Sequence, residues 1–94
     1  MDLKVPYSKV TSRQEAYQEA RTVITPEYIA KWKVKADISY DDVGTTIKAK
    51  GKGFGLELVF AESEAQVKCD LSMMLRPFKK TVIETIEGKL KRHI

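Results

Sequence analysis

Two side chains in this sequence carry chemistry that enzymes use directly, one histidine and one cysteine. His93 is next to the final residue of the sequence. A histidine works as a general base when it lies beside a nucleophile, and no nucleophile is near His93 in the sequence, so we expect a frayed, non-catalytic position. Cys69 occupies an inward position of a predicted strand, where a thiol behaves as a small buried hydrophobic group. A reactive thiolate would need an exposed, electropositive setting instead.

Carboxylates and glycines occur in spacings that also invite a functional interpretation. The pairs in Asp41–Asp42 and Glu62–Glu64 fall in predicted turns, where acidic residues are favoured because they bond to nearby backbone amides. The segment Gly51–Gly55 lacks the strand-to-helix context of a phosphate-binding loop, and it lies between two predicted strands, so a hairpin turn is favoured. No spacing matches a metal site. The sequence therefore predicts no catalytic set, cofactor or metal.

Lysines form the second group of candidate functional residues. The formal net charge of +4 permits an anionic partner without requiring one. Several lysines fall on the polar face of the predicted sheet, but a platform for single-stranded nucleic acid also needs exposed aromatic side chains. A solvated face that protects the sheet from aggregation is therefore favoured. Including two lysines of the last helix, the candidate anion-binding or partner-binding surface comprises Lys33, Lys35, Lys48, Lys50, Lys68, Lys79 and Lys80.

The first third of the chain predicts a short strand and a helical region. Residues 3–7 alternate between apolar and other residues, and Pro6, which has no backbone N–H donor, places this strand at a sheet edge. Ser12 and Glu15 have the spacing of a capping box, so they begin a helix. Thr25–Pro26 then interrupts the apolar pattern and suits the start of a new helical turn. We expect a kinked helix or two abutting helices, ending near residue 32.

Four segments of alternating hydrophobicity follow between residues 33 and 73, separated by the turns 41–44, 51–53 and 62–64. This pattern is typical of an antiparallel meander with one apolar face and one solvated face. A helical segment on each side of the meander must cover the single apolar face. We therefore predict one domain over residues 1–94, an α+β two-layer sandwich in the order strand, helix, four-strand antiparallel meander, helix, with both helices on one face.

The closing helix has one apolar stripe with lysines on the opposite side. We expect this stripe to pack on the sheet, although a basic amphipathic helix is also suited to an anionic surface. Under the packing interpretation, Phe78→Ala should destabilise the fold by about 3–5 kcal/mol. Met73 is predicted to face inward at the end of the last strand, which leaves Met74 for an adaptable exposed contact. The stripe consists of Phe78, Val82, Ile86, Leu90 and Ile94.

Composition and targeting signals indicate a cytoplasmic location. A single cysteine excludes an intrachain disulfide and is typical of a reducing compartment. The first residues lack the basic stretch and apolar run of a signal peptide, and no apolar run approaches the roughly 20 residues that span a bilayer. The oligomeric state is left open, and a homodimer is compatible with the sequence.

The element order and the corner Leu75-Arg-Pro-Phe-Lys79 resemble the polyhydroxyalkanoic acid system family, small bacterial proteins that occur with polyester-granule genes. The resemblance extends over nearly the whole chain. The chain departs from the family pattern at two places. Members often carry a histidine where this chain has Ser8–Lys9, and Thr25–Pro26 breaks a helix that is usually continuous in the family. The resemblance implies no catalytic residues.

The function that the resemblance implies is that of a non-enzymatic accessory protein of the polyhydroxyalkanoate system, which binds a granule surface or a granule protein. The alternative is a small basic nucleic-acid-binding domain that uses the lysine-rich open face of the sheet. An enzyme is disfavoured, because the single histidine and the single cysteine both lie at unsuitable positions.

Overall fold

A computed structural model describes residues 2–31 and 36–94 of the chain. Its elements follow the predicted order, with the helical region split in two and a short 3-10 turn (Arg76–Phe78) before the last helix. In chain order the elements are β1 (Leu3–Pro6), α1 (Arg13–Val23), α2 (Pro26–Ala30), β2 (Ala36–Asp41), β3 (Thr46–Gly51), β4 (Phe54–Phe60), β5 (Glu64–Leu71) and α3 (Lys79–His93).

The strands form one antiparallel sheet in the order β1-β5-β4-β3-β2. The predicted meander is therefore confirmed, and β1 joins it at the edge beside β5, with Pro6 opposite Glu64. A proline is tolerated there because an edge strand has one side without a partner strand. The Gly51–Gly53 turn joins β3 to β4, and Gly53 has φ +73, a conformation that glycine adopts without a steric penalty.

Two side-chain caps explain why the helical region is divided. Ser12 Oγ accepts a hydrogen bond from the Glu15 amide at 3.2 Å, and α1 follows. Thr25 Oγ1 accepts from the Tyr28 amide, also at 3.2 Å, with Pro26 at the first helical position of α2. Each cap satisfies an amide that has no partner within its own helix. The expected pair of abutting helices is therefore present, and it ends at Ala30.

The core contains one face of the sheet and the buried residues of the helices. Strand residues that face each other across the register, such as Leu56 and Cys69, lie on the same side of the sheet and are buried. This core joins α1, α2 and α3 to the strands in a single cluster, which confirms the α+β class. The largest fully buried side chains include Tyr17, Phe60, Ile24, Ile29, Ile47, Leu58, Ile86, Leu90 and Ile94.

The apolar stripe of α3 packs as predicted except at its first member. Val82, Ile86 and Leu90 are buried, whereas Phe78 is 59% exposed. The prediction that Phe78 anchors the helix is therefore wrong. Helical residues advance by about 100° each, so a four-residue repeat drifts by about 40° at every step. The stripe rotates away from the core toward its N-terminal end, and Phe78 also lies in the 3-10 turn before α3 begins.

The end of α3 is held in place, which corrects the expectation that His93 is frayed. Ile94 is fully buried, and its main-chain oxygen accepts hydrogen bonds from the amides of Ser8, Lys9 and Val10 at 2.8, 2.8 and 3.2 Å. Lys9 Nζ also donates to the Lys91 carbonyl at 2.7 Å. The segment after β1 thus binds carbonyl groups that a helix C-terminus leaves without partners.

Candidate surface-binding site

The two residues with catalytic potential, Cys69 and His93, both lie in settings that suit a structural role. Cys69 is fully buried, and burial raises the pKa of its thiol, which favours the protonated, unreactive form. His93 lies on the last turn of α3 with its Nδ1 3.3 Å from Glu19 Oε1 on α1. No sequence pattern indicates this pairing, because the two residues are 74 positions apart. In residues 2–31 and 36–94, no group of three or more histidine, cysteine or carboxylate side chains is arranged to hold a metal.

A polar cluster connects α1 with the turn between β2 and β3. The buried Tyr17 hydroxyl donates a hydrogen bond to Asp42 Oδ1, and Arg21 lies 3.4 Å from the same oxygen. The Arg21 guanidinium also lies 5.2 Å from the centre of the Tyr40 ring. Burial, followed by the bond to Asp42, raises the pKa of Tyr17 to about 12. Tyr17 therefore remains a hydrogen-bond donor at neutral pH, and the cluster fixes the helix to the hairpin.

The solvated face of the sheet is mixed in charge. Glu57 lies between Lys48 and Lys68 in the register, and its Oε2 is 3.5 Å from Lys48 Nζ. The outward positions of the described strands carry no aromatic side chain. They carry more carboxylates than lysines, namely Asp37, Asp41, Glu57, Glu64 and Asp70 beside Lys4, Lys48, Lys50 and Lys68. An alternating pattern of this kind attracts a polyanion weakly, because neighbouring charges of opposite sign cancel at a distance.

The other candidate lysines of the described residues belong to a helix and not to the sheet. Lys79 and Lys80 begin α3, where Lys79 Nζ lies 3.0 Å from Asp2 Oδ1 and Lys80 Nζ lies 3.9 Å from Glu84 Oε1. Lys33 and Lys35 lie outside the described residues. The predicted surface thus includes a sheet-face group (Lys48, Lys50 and Lys68) and a helix-start group (Lys79 and Lys80).

Asp2 links the start of the chain to β5 and α3. Its Oδ2 accepts a hydrogen bond from the Cys69 amide at 2.7 Å, which extends the β1–β5 ladder with a side chain just before β1 begins. This hydrogen bond, and next the contact with Lys79, lower the pKa of Asp2. Because the folded-state value is depressed, the stabilisation is present above the ordinary carboxyl pKa and is lost as the pH falls below it.

We expect Asp2→Asn to reduce the free energy of unfolding by about 1–2 kcal/mol at neutral pH, because it weakens a charge-assisted hydrogen bond. The difference from the unmodified chain should shrink as the pH falls below about 4, the usual range for an aspartate. Urea unfolding at a series of pH values measures both quantities. A difference that stays constant from pH 7 to pH 2 would contradict the assignment.

An exposed apolar segment lies where β5 turns toward α3. Met73 and Met74 are 83% and 87% exposed, so the prediction that Met73 faces inward is wrong. The reason is that β5 ends at Leu71 and the chain turns sharply, with the Leu75 and Arg76 amides both donating to the Ser72 carbonyl. Together with the exposed Phe78, these side chains form what we call the apolar corner, residues Met73–Phe78.

The apolar corner is anchored to the β3–β4 hairpin. The Ser72 amide donates to the Gly53 carbonyl at 2.8 Å, and a Cβ at position 53 would lie only 2.8 Å from Ser72 Oγ. Leu75 is half-buried, with its Cδ1 3.8 Å from that same Cβ position. One apolar side chain of the corner thus faces the protein, while both methionines and Phe78 face solvent. The exposed side chains are carried on a hydrogen-bonded turn.

The surroundings of the apolar corner are basic. Residues 71–83 include Arg76, Lys79 and Lys80 and contain no acidic residue. Lys52, in the hairpin that contacts Ser72, is also exposed. Contiguous exposed apolar groups are uncommon on proteins without a partner and often mark an interaction site. The sequence signal for this site was Pro77 after two methionines, since a proline ends β-pairing, but the alternation of β5 masked it.

No protein-family model, curated protein or solved structure matches the chain at a significant level. The family resemblance therefore stays a prediction. Within residues 2–31 and 36–94, none of the helices has the length and apolar character needed to cross a bilayer.

Proposed function

We propose that this chain is a non-enzymatic, cytoplasmic accessory protein of the polyhydroxyalkanoate system and that it binds the surface of polyester granules through the apolar corner. The observation that carries this proposal is the exposure of Met73, Met74 and Phe78 beside basic side chains. The family resemblance supports the same conclusion, because its most specific segment, Leu75–Lys79, forms most of this corner.

Burial of the exposed side chains supplies a physical driving force for surface binding. Full transfer of one methionine or phenylalanine side chain from water to an apolar phase gains about 1.5–3 kcal/mol. The turn that holds them is already hydrogen-bonded at Ser72, so little ordering is required when the surface binds. The flexible thioethers of Met73 and Met74 can adapt to an irregular surface.

The sheet face supports the alternative function less well. A nucleic-acid platform requires a basic groove and stacking aromatics, whereas the described outward strand positions carry interleaved carboxylates. The apolar corner is therefore the better candidate for the binding site.

We expect the purified protein to sediment with isolated polyester granules, and we expect the double variant Met73→Ser/Met74→Ser to lose at least tenfold in affinity. The reason is that both side chains become polar at an exposed site without disturbing the core. Val43→Ser provides a matched control, because Val43 is 93% exposed in the distant β2–β3 turn. Equal granule binding by the double variant and the control would contradict the proposal. Binding only to granules that retain their proteins would instead indicate a granule protein as the partner.

A further inference from the structure

We infer that the apolar corner binds an anionic lipid surface, with Met73, Met74 and Phe78 entering the acyl region and the surrounding basic side chains contacting head-group phosphates. This inference rests on the proposed function, since it specifies the chemistry of the surface that the same site recognises. Two independent features of the corner support it. The first is the exposed apolar tip, formed by Met73, Met74 and Phe78. The second is the excess of basic over acidic side chains in residues 71–83.

The shape of the tip favours a deformable layer. Side chains that are 83% and 87% exposed, as Met73 and Met74 are, project into solvent, and a fluid layer can close around projecting groups on every side. The adjacent Phe78 is 59% exposed, and an aromatic ring is well suited to the boundary between head groups and acyl chains. Leu75 stays half-buried, so the tip can be immersed without removing a core residue.

The charge around the tip specifies the head groups. From Leu71 to Ile83 the chain has three basic side chains and no carboxylate. Asp2 contacts Lys79 and Glu84 contacts Lys80, whereas neither Arg76 nor Lys52 is in an ion pair within residues 2–31 and 36–94. An uncharged polyester surface would gain nothing from a basic rim, whereas an anionic head-group layer is attracted to each lysine or arginine that approaches it.

The sheet face differs from the apolar corner in both charge and exposed apolar area. Lys48 and Lys50 lie beside Glu57 and Asp37 in the register, and the nearest apolar side chain on the described outward positions, Val59, is half-buried. Basic side chains without an apolar anchor bind lipid surfaces weakly and reversibly. The sheet-face lysines therefore offer a matched control with the same change in charge.

The test is co-sedimentation of the full chain with vesicles of pure phosphatidylcholine and with vesicles containing phosphatidylglycerol. We expect binding only to the anionic vesicles, decreasing with added salt because the Debye length shortens. Arg76→Ala/Lys80→Ala should weaken binding about 25-fold, since each basic group near an anionic surface contributes about fivefold. Lys48→Ala/Lys50→Ala should change it less than threefold, and Met73→Ser/Met74→Ser should abolish it. Circular dichroism of each variant verifies that it is folded.

Equal binding to the two kinds of vesicle would overturn this inference. Equal losses of affinity in Arg76→Ala/Lys80→Ala and in Lys48→Ala/Lys50→Ala would overturn it as well. Granules stripped of lipid distinguish its failure from that of the proposed function. Binding to stripped granules without binding to anionic vesicles would overturn the lipid inference and leave granule binding in place. Binding to neither vesicles nor any granule preparation would overturn both.

Discussion

Replacing Ile86 by alanine is expected to lower the free energy of unfolding by about 2–5 kcal/mol, the usual range for removing a large aliphatic side chain from a core. Ile86 is fully buried at the middle of the α3 stripe. Phe78→Ala removes a larger side chain from the same stripe, yet it should change stability by less than about 1 kcal/mol, because Phe78 is exposed and surface substitutions have small effects.

Urea unfolding followed by circular dichroism measures both variants under the same conditions. For a domain with a total stability of about 5–15 kcal/mol, the Ile86 variant should show a clearly lower midpoint with an unchanged slope. If Phe78→Ala were as destabilising as Ile86→Ala, α3 would have to be rotated relative to the position described above, and the apolar corner would not exist as a surface site.

A second large effect is expected at Tyr17, where Tyr17→Ala should reduce the free energy of unfolding by about 3–5 kcal/mol. The ring is fully buried and meets the Phe60 ring edge-to-face, with the ring centres 6.2 Å apart. Tyr17→Phe keeps this packing and removes only the hydroxyl that bonds to Asp42. Its expected effect is therefore about 0.5–1.5 kcal/mol, the net value of one hydrogen bond.

Thermal and urea unfolding of the two Tyr17 variants separate ring packing from hydrogen bonding. Asp42→Asn is a useful companion, because it alters the acceptor while leaving the buried ring in place. A Tyr17→Phe effect as large as that of Tyr17→Ala would show that the hydroxyl, rather than the ring, provides most of the stabilisation, and the assigned role of the core packing would then be wrong.

One structural feature connects stability with the proposed binding site. The drift of a four-residue repeat around α3 buries Ile86 and Leu90 and leaves Phe78 in solvent. Phe78 therefore belongs to the same amphipathic pattern as the residues that close the core, whereas Met73 and Met74 lie in the turn before it. This arrangement predicts that substitutions at the tip affect binding without affecting folding, as the granule and vesicle experiments require.

Much of the fold could be predicted from the sequence, because its signals act over short distances along the chain. The Ser12 and Thr25 caps each bind an amide three residues away, and the alternation in β3, β4 and β5 has a period of two that depends only on the extended backbone. The edge position suggested by Pro6 follows from the missing donor of a single residue. Each of these features was predicted and is present.

The candidate site depended on the tertiary structure. The exposure of Met73 and Phe78 is decided by where β5 ends and by the angle at which α3 meets the core, and neither is encoded in a local repeat. Asp2 and its partner Cys69 are 67 positions apart, and His93 and its partner Glu19 are 74 positions apart. No spacing in the sequence could indicate these pairs. Local patterns reflect covalent neighbours, and for this reason the strands and helices can be predicted from the sequence. Exposure and ion pairing result from how distant segments pack, so the surface that is free to bind a partner becomes apparent only in the folded structure.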